Sequence, residues 1–425
     1  MITKIKNLSN TNEKRVLLSN FFSLSVLQFF NSVLPLLTLP YLVRVLGAEM
    51  FGLVMFAQAF IMFFNIFVDF GFNLSATREV SIYRNDKNKL TEIFSSVIII
   101  KAVLTCLSFV ILAIIVFSFE RFSRSWELYY LTFLLVIGQA MFPVWYFQGI
   151  ERMKFITIVN VISRVVFTVL IFVVIKEKSD YIYVPIINGF GLIVGGGLSL
   201  WIIRKKFKQA VVIPSLETLK IYFKDSSQFF LSRVSVTIYT SANVFVLGIF
   251  TNNILVGYYS VAEKLYMALQ GLFGPVAQVL YPYVAKEKNI VLFKKIFKII
   301  VLLNVVGVVF LYFTGSYIFE FLFEKSFTNE SLEVFHILLL ATLVVVPSIM
   351  IGYPFLGALG FAKFANRSVI YSSVIHVFGI VLLALSDNIT IFTVAYMVVL
   401  TQIVDLSYRL YGVKKNSLWN SFKLE

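Results

Sequence analysis

Three basic residues stand where a membrane-crossing helix tolerates charge poorly. Arg164 lies about nine residues into an apolar run, Arg233 about seven and Lys101 about eight, so each charge is roughly 10–14 Å below one membrane surface. Each has polar company at helical spacing. Thr157, Asn160 and Thr168 accompany Arg164; Thr237 and Thr240 accompany Arg233; Thr105 and Ser108 accompany Lys101. A cation at the centre of a span costs about 2.5–3.5 kcal/mol, and less at this depth. A polar stripe around it points to a wet cavity, whereas a lone lysine snorkels to the interface, as Lys298 in KKIFKII is placed to do. Guanidinium groups grip phosphate or carboxylate oxygens with a two-pronged fork, so the chemistry on offer is non-covalent capture of an anionic group.

Asp69 is the carboxylate within the spans of the first half. It can take a proton or sodium, or close an ion pair with Arg78 or another cation. Asp405, with Gln402 nearby, faces the same choice, and His336 and His376 read as packing residues. The run Gly195-Gly196-Gly197 suits close helix packing. No GxxxxGK[ST] loop, metal-ligand cluster or D-x-D motif occurs, and the single cysteine, Cys106, has no partner for an intrachain disulfide. These features predict no catalytic residue, no metal and no cofactor; the chain reads as something other than an enzyme.

The elements that must hold these residues follow from composition. Of 425 residues, 59% are hydrophobic and 14% charged, against about 25% charged in a soluble domain. The chain is therefore read as an all-α integral membrane protein. Twelve spans are expected at about 16–39, 51–75, 93–117, 127–148, 155–175, 181–203, 226–250, 266–284, 294–315, 332–352, 367–386 and 389–409. The turn between the first two is placed at Tyr41 to Phe51. The first run is too long for a cleavable signal peptide.

A net charge of +15 could suggest nucleic acid, but the basic residues sit at the ends of apolar runs, and no nucleic-acid partner is expected. About 26 lysines and arginines fall in connections on the N-terminal side, and about 7 in the other loops. The positive-inside rule then places both termini in the cytoplasm. The segment RKKFKQAVVIPSLETLKIYFKDS reads as an amphipathic basic stretch on the anionic inner surface, dividing the chain into lobes 1–207 and 208–425.

The halves carry a faint repeat. Gly52 and Ala57 find counterparts in Gly257 and Ala262, and Pro143 and Gly149 in Pro354 and Gly360. Both sets relate spans six apart, which makes the six-helix lobes parallel.

The run LPYLVRVLGAEMFGLVMFAQAF followed by VDFGFNLSATREVS resembles the opening of bacterial polysaccharide flippases, which move O-antigen units. These belong to the multidrug, oligosaccharidyl-lipid and polysaccharide exporters. PVWYFQGIERMKFIT and LGIFTNNILVGYYSVAEKLY, with PVAQVLYPYVAK, continue the resemblance. It implies a MATE-like exporter fold of two six-helix lobes in the bacterial inner membrane. It also implies a substrate, undecaprenyl-pyrophosphate-linked oligosaccharide, moved to the periplasmic leaflet by alternating access. Arg164, Arg233 and Lys101 would bind its headgroup, and Asp69 would couple transport to protons or sodium. A polysaccharide polymerase and a chain-length regulator are the implied partners. The rival reading is an ion-coupled multidrug antiporter, which would want buried carboxylates for cationic drugs.

Topology is directly testable. Reporter fusions at Glu177 and Ser326 should read periplasmic and one at Lys206 cytoplasmic; a periplasmic signal at Lys206 would overturn the arrangement.

Overall fold

Hydrocarbon offers no hydrogen bonds, so an apolar chain of this length must satisfy its backbone within helices. The computed structural model describes residues 12–323 and 328–419, with side chains from Asn20 onward except at 21, 24, 231–241 and 328. It contains no strand among the described residues. In order, the helices are α1 (Asn12–Asp69), α2 (Phe72–Ile82), α3 (Lys87–Ser118), α4 (Trp126–Thr132), α5 (Leu134–Met141), α6 (Val144–Gly149), α7 (Lys154–Val174) and α8 (Tyr183–Lys206). There follow α9 (Leu216–Phe250), α10 (Asn253–Gly271), α11 (Gly274–Glu287), α12 (Ile290–Leu322), α13 (Thr328–Ile351), α14 (Ala362–Leu385) and α15 (Ile391–Lys415). A single turn at Glu120–Ser123 precedes α4, and a π-helical segment, Gly352–Gly357, follows α13.

Nine helices among the described residues are long and apolar enough to cross a membrane. The 58-residue α1 holds two of the expected spans, while the seventh and eighth fall on α9 and on α10–α11, outside those nine. Three local expectations change, the first being the fourth span, which is broken into α4, α5 and α6. Tyr41 to Phe51 is helical rather than a loop, broken only at Gly47 (φ 70°, ψ 174°), a conformation that only glycine adopts without strain. The eighth span is two helices. The Asn252 side chain accepts from the Leu255 N–H, so α10 starts at Asn253, and Gly274-Pro275 opens α11.

The chain forms two compact units. The first runs to Thr38 and from Ala57 to Val234; the second holds Leu39–Phe56 and the residues from Ser235 onward. Within the first, glycines let α8 press onto α5: a Cβ at Gly138 would meet Leu192 Cβ at 2.5 Å, and one at Gly189 would meet Leu134 Cβ at 2.4 Å. Gly196 continues the contact against Met141 Cβ, while Gly195 faces α7, where Ser163 Oγ lies 2.8 Å from where its Cβ would be. Beside them Phe60, Phe122 and Tyr129 pack ring against ring.

The core of the second unit crosses at two glycines. A Cβ at Gly52 would lie 1.8 Å from the Asn253 carbonyl oxygen, and one at Gly257 would lie 2.3 Å from that of Ala48. The two contacts exchange under the sequence repeat, since Ala48 corresponds to Asn253 as Gly52 does to Gly257. A contact that maps onto itself in this way is the mark of a two-fold relation. Arg44 donates through Nε to the Leu322 carbonyl at 2.9 Å, and its guanidinium also reaches the Phe321 carbonyl, so a cation closes the C-terminal end of α12. Helices α3 and α12, of 32 and 33 residues, show most of their apolar side chains to the outside.

Because backbone, not a mobile side chain, blocks the Gly52 position, Gly52→Val and Gly257→Val should cost about 1–3 kcal/mol or more of stability. Thermal melts of the purified protein will read this as a lowered Tm. Gly197→Ala, with nothing within 4 Å of its added carbon, should melt like the parent.

Candidate functional site

Chain breaks position the first group of candidates. Phe70 (φ 46°) and Gly71 (φ 82°) turn the backbone left-handed between α1 and α2. A Cβ at Gly71 would meet the Ser226 carbonyl at 2.8 Å, so α9 lies directly on the turn. Phe70 stacks on Phe223 at 4.4 Å and on Phe230 at 4.7 Å, and Ser75 meets Ser226 at 2.5 Å. This packing fixes Asp69 at the end of α1.

Lys101 on α3 is 2% exposed, and its Nζ lies 3.5 Å from Asp69 Oδ1. The structure thus joins two sequence candidates, Asp69 and Lys101, which lie far apart in the chain. Arg78, the other partner weighed for Asp69, instead bonds Glu79 at 3.0 Å and Asp225 at 2.9 Å. Those carboxylates hold its guanidinium protonated even above the usual arginine range.

Arg164 is half-buried on α7 and forms no ion pair or hydrogen bond among the described residues. Its direction is set by the helix. Ile158, Ile162, Val165, Val166, Val169 and Val173 are exposed along one stripe. Arg164 points roughly 140° away from the centre of that stripe, on the side of Thr157, Thr168 and Ile171, which are buried. Thr157 donates to the Ser23 carbonyl at 2.8 Å. Thr168 Oγ1, Asn31 Oδ1, Asn65 Oδ1 and Ser96 Oγ, all in this unit, are buried without a hydrogen-bond partner among the described residues. The arginine therefore shares the side of α7 that carries the buried Thr157 and Thr168, opposite the exposed apolar stripe. Arg233 lies on α9, but its side chain is outside the described residues.

The second unit contains a cavity of about 80 Å³ that sequence reasoning did not anticipate. Asn243 of α9, Glu263 of α10, His376 of α14, and Thr401 and Gln402 of α15 line it, with Tyr259 and Tyr266 on either side of the glutamate along α10. Glu263 is 7% exposed and has no cation in salt-bridge contact among the described residues. His376 is packed in the interior and hydrogen-bonded there: Nδ1 lies 2.8 Å from Thr401 Oγ1 and Nε2 lies 2.9 Å from Asn243 Oδ1. Asp405 belongs to a separate ion pair. Its Oδ2 takes the Ser348 hydroxyl at 2.5 Å and Arg409 at 3.1 Å, and Arg409 also donates to Ser368 Oγ and the Ser348 carbonyl. A Cβ at Gly352 would sit 2.5 Å from that guanidinium, so Arg409 fixes the start of the π-helical segment.

These geometries meet known proteins at several points. A family model described as "Polysaccharide biosynthesis protein" matches residues 17–288. A protein of Escherichia coli K12 named "Putative O-antigen transporter" is 32% identical over 292 residues, 67% of this chain and 70% of that one. Its namesake in Shigella dysenteriae is 28% identical over 267 residues, 63% of this chain and 67% of that one. Among solved structures, the lipid II flippase MurJ in an inward closed conformation superposes with a TM-score of 0.73 at 17% identity, covering 92% of this chain and 87% of that one. An inward-facing MATE-family multidrug resistance transporter of the MOP superfamily gives 0.65 at 15% identity, covering 92% and 96%. At those identities the structures establish the fold, which is the MATE-like exporter fold.

The Asp69–Lys101 pair carries an asymmetry. Removing Asp69 strands a buried ammonium, whereas removing Lys101 leaves a carboxylate that is 19% exposed and can reach water. Asp69→Asn should therefore cost more than Lys101→Met, approaching the roughly 3–5 kcal/mol of a broken buried pair. The double variant should melt above Asp69→Asn alone. Losses that simply add in the double variant would show that the pair does not couple.

Proposed function

The chain belongs to the polysaccharide biosynthesis protein family, and from that premise we propose that it is a flippase for undecaprenyl-pyrophosphate-linked oligosaccharide repeat units. It carries them from the cytoplasmic to the periplasmic leaflet of the bacterial inner membrane by alternating access, with both termini cytoplasmic. The moving bodies of that cycle are the six-helix lobes 1–207 and 208–425. The product would feed an O-antigen or another surface polysaccharide, through a polymerase and a chain-length regulator.

One observation carries the substrate reading: Arg164 is a half-buried guanidinium without a counter-charge among the described residues, turned away from lipid. Such a group stays soluble in a membrane only beside water or an anion. A pyrophosphate offers the oxygens that its fork fits. Arg233 would supply a second fork. Lys101, neutralised by Asp69, would contribute to the headgroup only if Asp69 were released to a proton or sodium. That exchange would make the pair a switch as well as a brace.

The rival reading, an ion-coupled multidrug antiporter, draws support from Glu263, a buried carboxylate of the kind cationic drugs seek. Sensitivity to cationic dyes separates the two. A drug exporter raises dye resistance when overproduced, and a flippase leaves it unchanged.

Arg164→Ala and Arg233→Ala should each abolish complementation of a strain lacking its flippase. Arg→Lys should restore it only in part, since the ammonium keeps the charge and loses the fork. A fully active double alanine variant would remove both residues from the substrate path.

A further inference from the structure

The connection between α8 and α9 is pinned along its length, and headgroup capture makes no use of it. Phe207 closes α8 against Phe155, Phe147 and Tyr146, with ring centroids 5.8, 6.4 and 6.1 Å away. Lys208 then turns left-handed (φ 54°), and Oε1 of the buried Gln209 lies 2.8 Å from the Thr91 hydroxyl of α3. One helical turn further along α3, Ser95 donates to the Ala210 carbonyl at 3.4 Å and accepts from the Val212 N–H at 2.9 Å. Ser95 stands two residues inside the expected third span, so these bonds fix the segment at the edge of the hydrocarbon. Ser215 then accepts from the Thr218 N–H at 3.1 Å and starts α9.

The side chains on this segment are apolar and uncovered. Val211, Val212, Leu216 and Ile221 are exposed, and Ile213 is 94% exposed. Cations gather beside them. Arg152 and Lys154 stand at the start of α7, Arg204, Lys205 and Lys206 at the end of α8, and Lys208 follows. All six are exposed, with no carboxylate in salt-bridge contact among the described residues. Acids that are near in sequence are engaged elsewhere: Glu151 pairs with Arg84 at 3.1 Å, and Glu92 with Lys89 at 2.7 Å. Lys154 and Lys206 both approach the Phe155 ring, with Nζ 5.6 and 5.0 Å from its centroid. Two like charges thus share one ring, an arrangement that an anion would stabilise.

We propose that this corner binds an anionic phospholipid of the inner leaflet, with the acidic headgroup on Lys154 and Lys206 and the acyl chains over Val211 and Ile213. The two parts of the patch select the occupant together. A soluble polyanion would satisfy the cations and leave the aliphatic side chains in water. A zwitterionic lipid would cover the aliphatic side chains and bring no net charge to the lysines. Each lysine near an anionic surface strengthens attachment about fivefold, and acyl contact adds an attraction that salt does not screen. Lys154 opens α7, the helix that carries Arg164, so a bound lipid would steady that end of the helix. The inference needs the chain to cross the membrane with Lys206 on the cytoplasmic side, which the reporter fusion at Lys206 checks separately. It is independent of what is transported.

The test uses the purified full chain in a neutral detergent, with phosphatidylglycerol and phosphatidylcholine as probes, read by native mass spectrometry and thermal melting. The tightest-bound phosphatidylglycerol should bind the parent at least about tenfold more strongly than phosphatidylcholine does, and should raise its Tm. Lys154→Gln with Lys206→Gln should lose at least about tenfold of that affinity, and the rise in Tm with it. Lys286→Gln with Lys288→Gln removes as much charge elsewhere and should keep both. Val211→Ser with Ile213→Ser should also weaken phosphatidylglycerol, and inorganic phosphate should not displace it. Equal binding of the two lipids by the parent overturns the proposal without relying on any variant. So does unchanged phosphatidylglycerol binding in the Lys154/Lys206 variant. Displacement by inorganic phosphate overturns it too, since the corner would then read a free anion and not a lipid. Each of these results leaves the flippase reading standing, because that reading is judged by complementation at Arg164 and Arg233.

Discussion

Every polar group in this protein is governed by one constraint: hydrocarbon solvates neither backbone nor charge. It forces the described chain into helices, and it makes each side chain that breaks the apolar pattern account for itself. Four kinds of account are visible. Lys101 is neutralised by Asp69, and Arg409 by Asp405. Arg44 spends its charge on helix-end carbonyls. Glu263 and His376 share a cavity. Arg164 shares the buried side of α7 with no opposite charge in salt-bridge contact among the described residues.

Close approach of helices is the second requirement, and glycine supplies it. Gly138, Gly189 and Gly196 let α8 sink onto α5, and Gly52 and Gly257 let two helices meet at their backbones.

How much of this could be read from the chain differs by feature. The helical class and the Arg164 stripe were legible because periodicity is a local property. The Gly52–Gly257 correspondence was legible as a repeat, though not as a contact. The Asp69–Lys101 pair was not, because nothing in either span says which of several cations an acid will meet. Glu263 escaped notice because its span was drawn from about 266 onward, which put it in a loop beside Lys264; the Asn252 cap was the local signal that the helix begins earlier. His376 resembled packing because its partners, Asn243 and Thr401, come from two other helices.

Helices α3 and α12 occupy corresponding places in the two halves, third and ninth among the expected spans, and have nearly the same length, 32 and 33 residues. At 1.5 Å per residue each is nearly 50 Å long, against roughly 30 Å of hydrocarbon and 40–45 Å with the headgroups. Neither can stand upright within that slab without its ends projecting from it. A lean would bring more of each within the slab, and the polar first turn of α3, Lys87 to Lys89, is suited to project beyond it. Each helix thus has length in reserve: thicker lipid can be matched by a more upright helix and thinner lipid by a more tilted one, without stripping apolar side chains of their solvent.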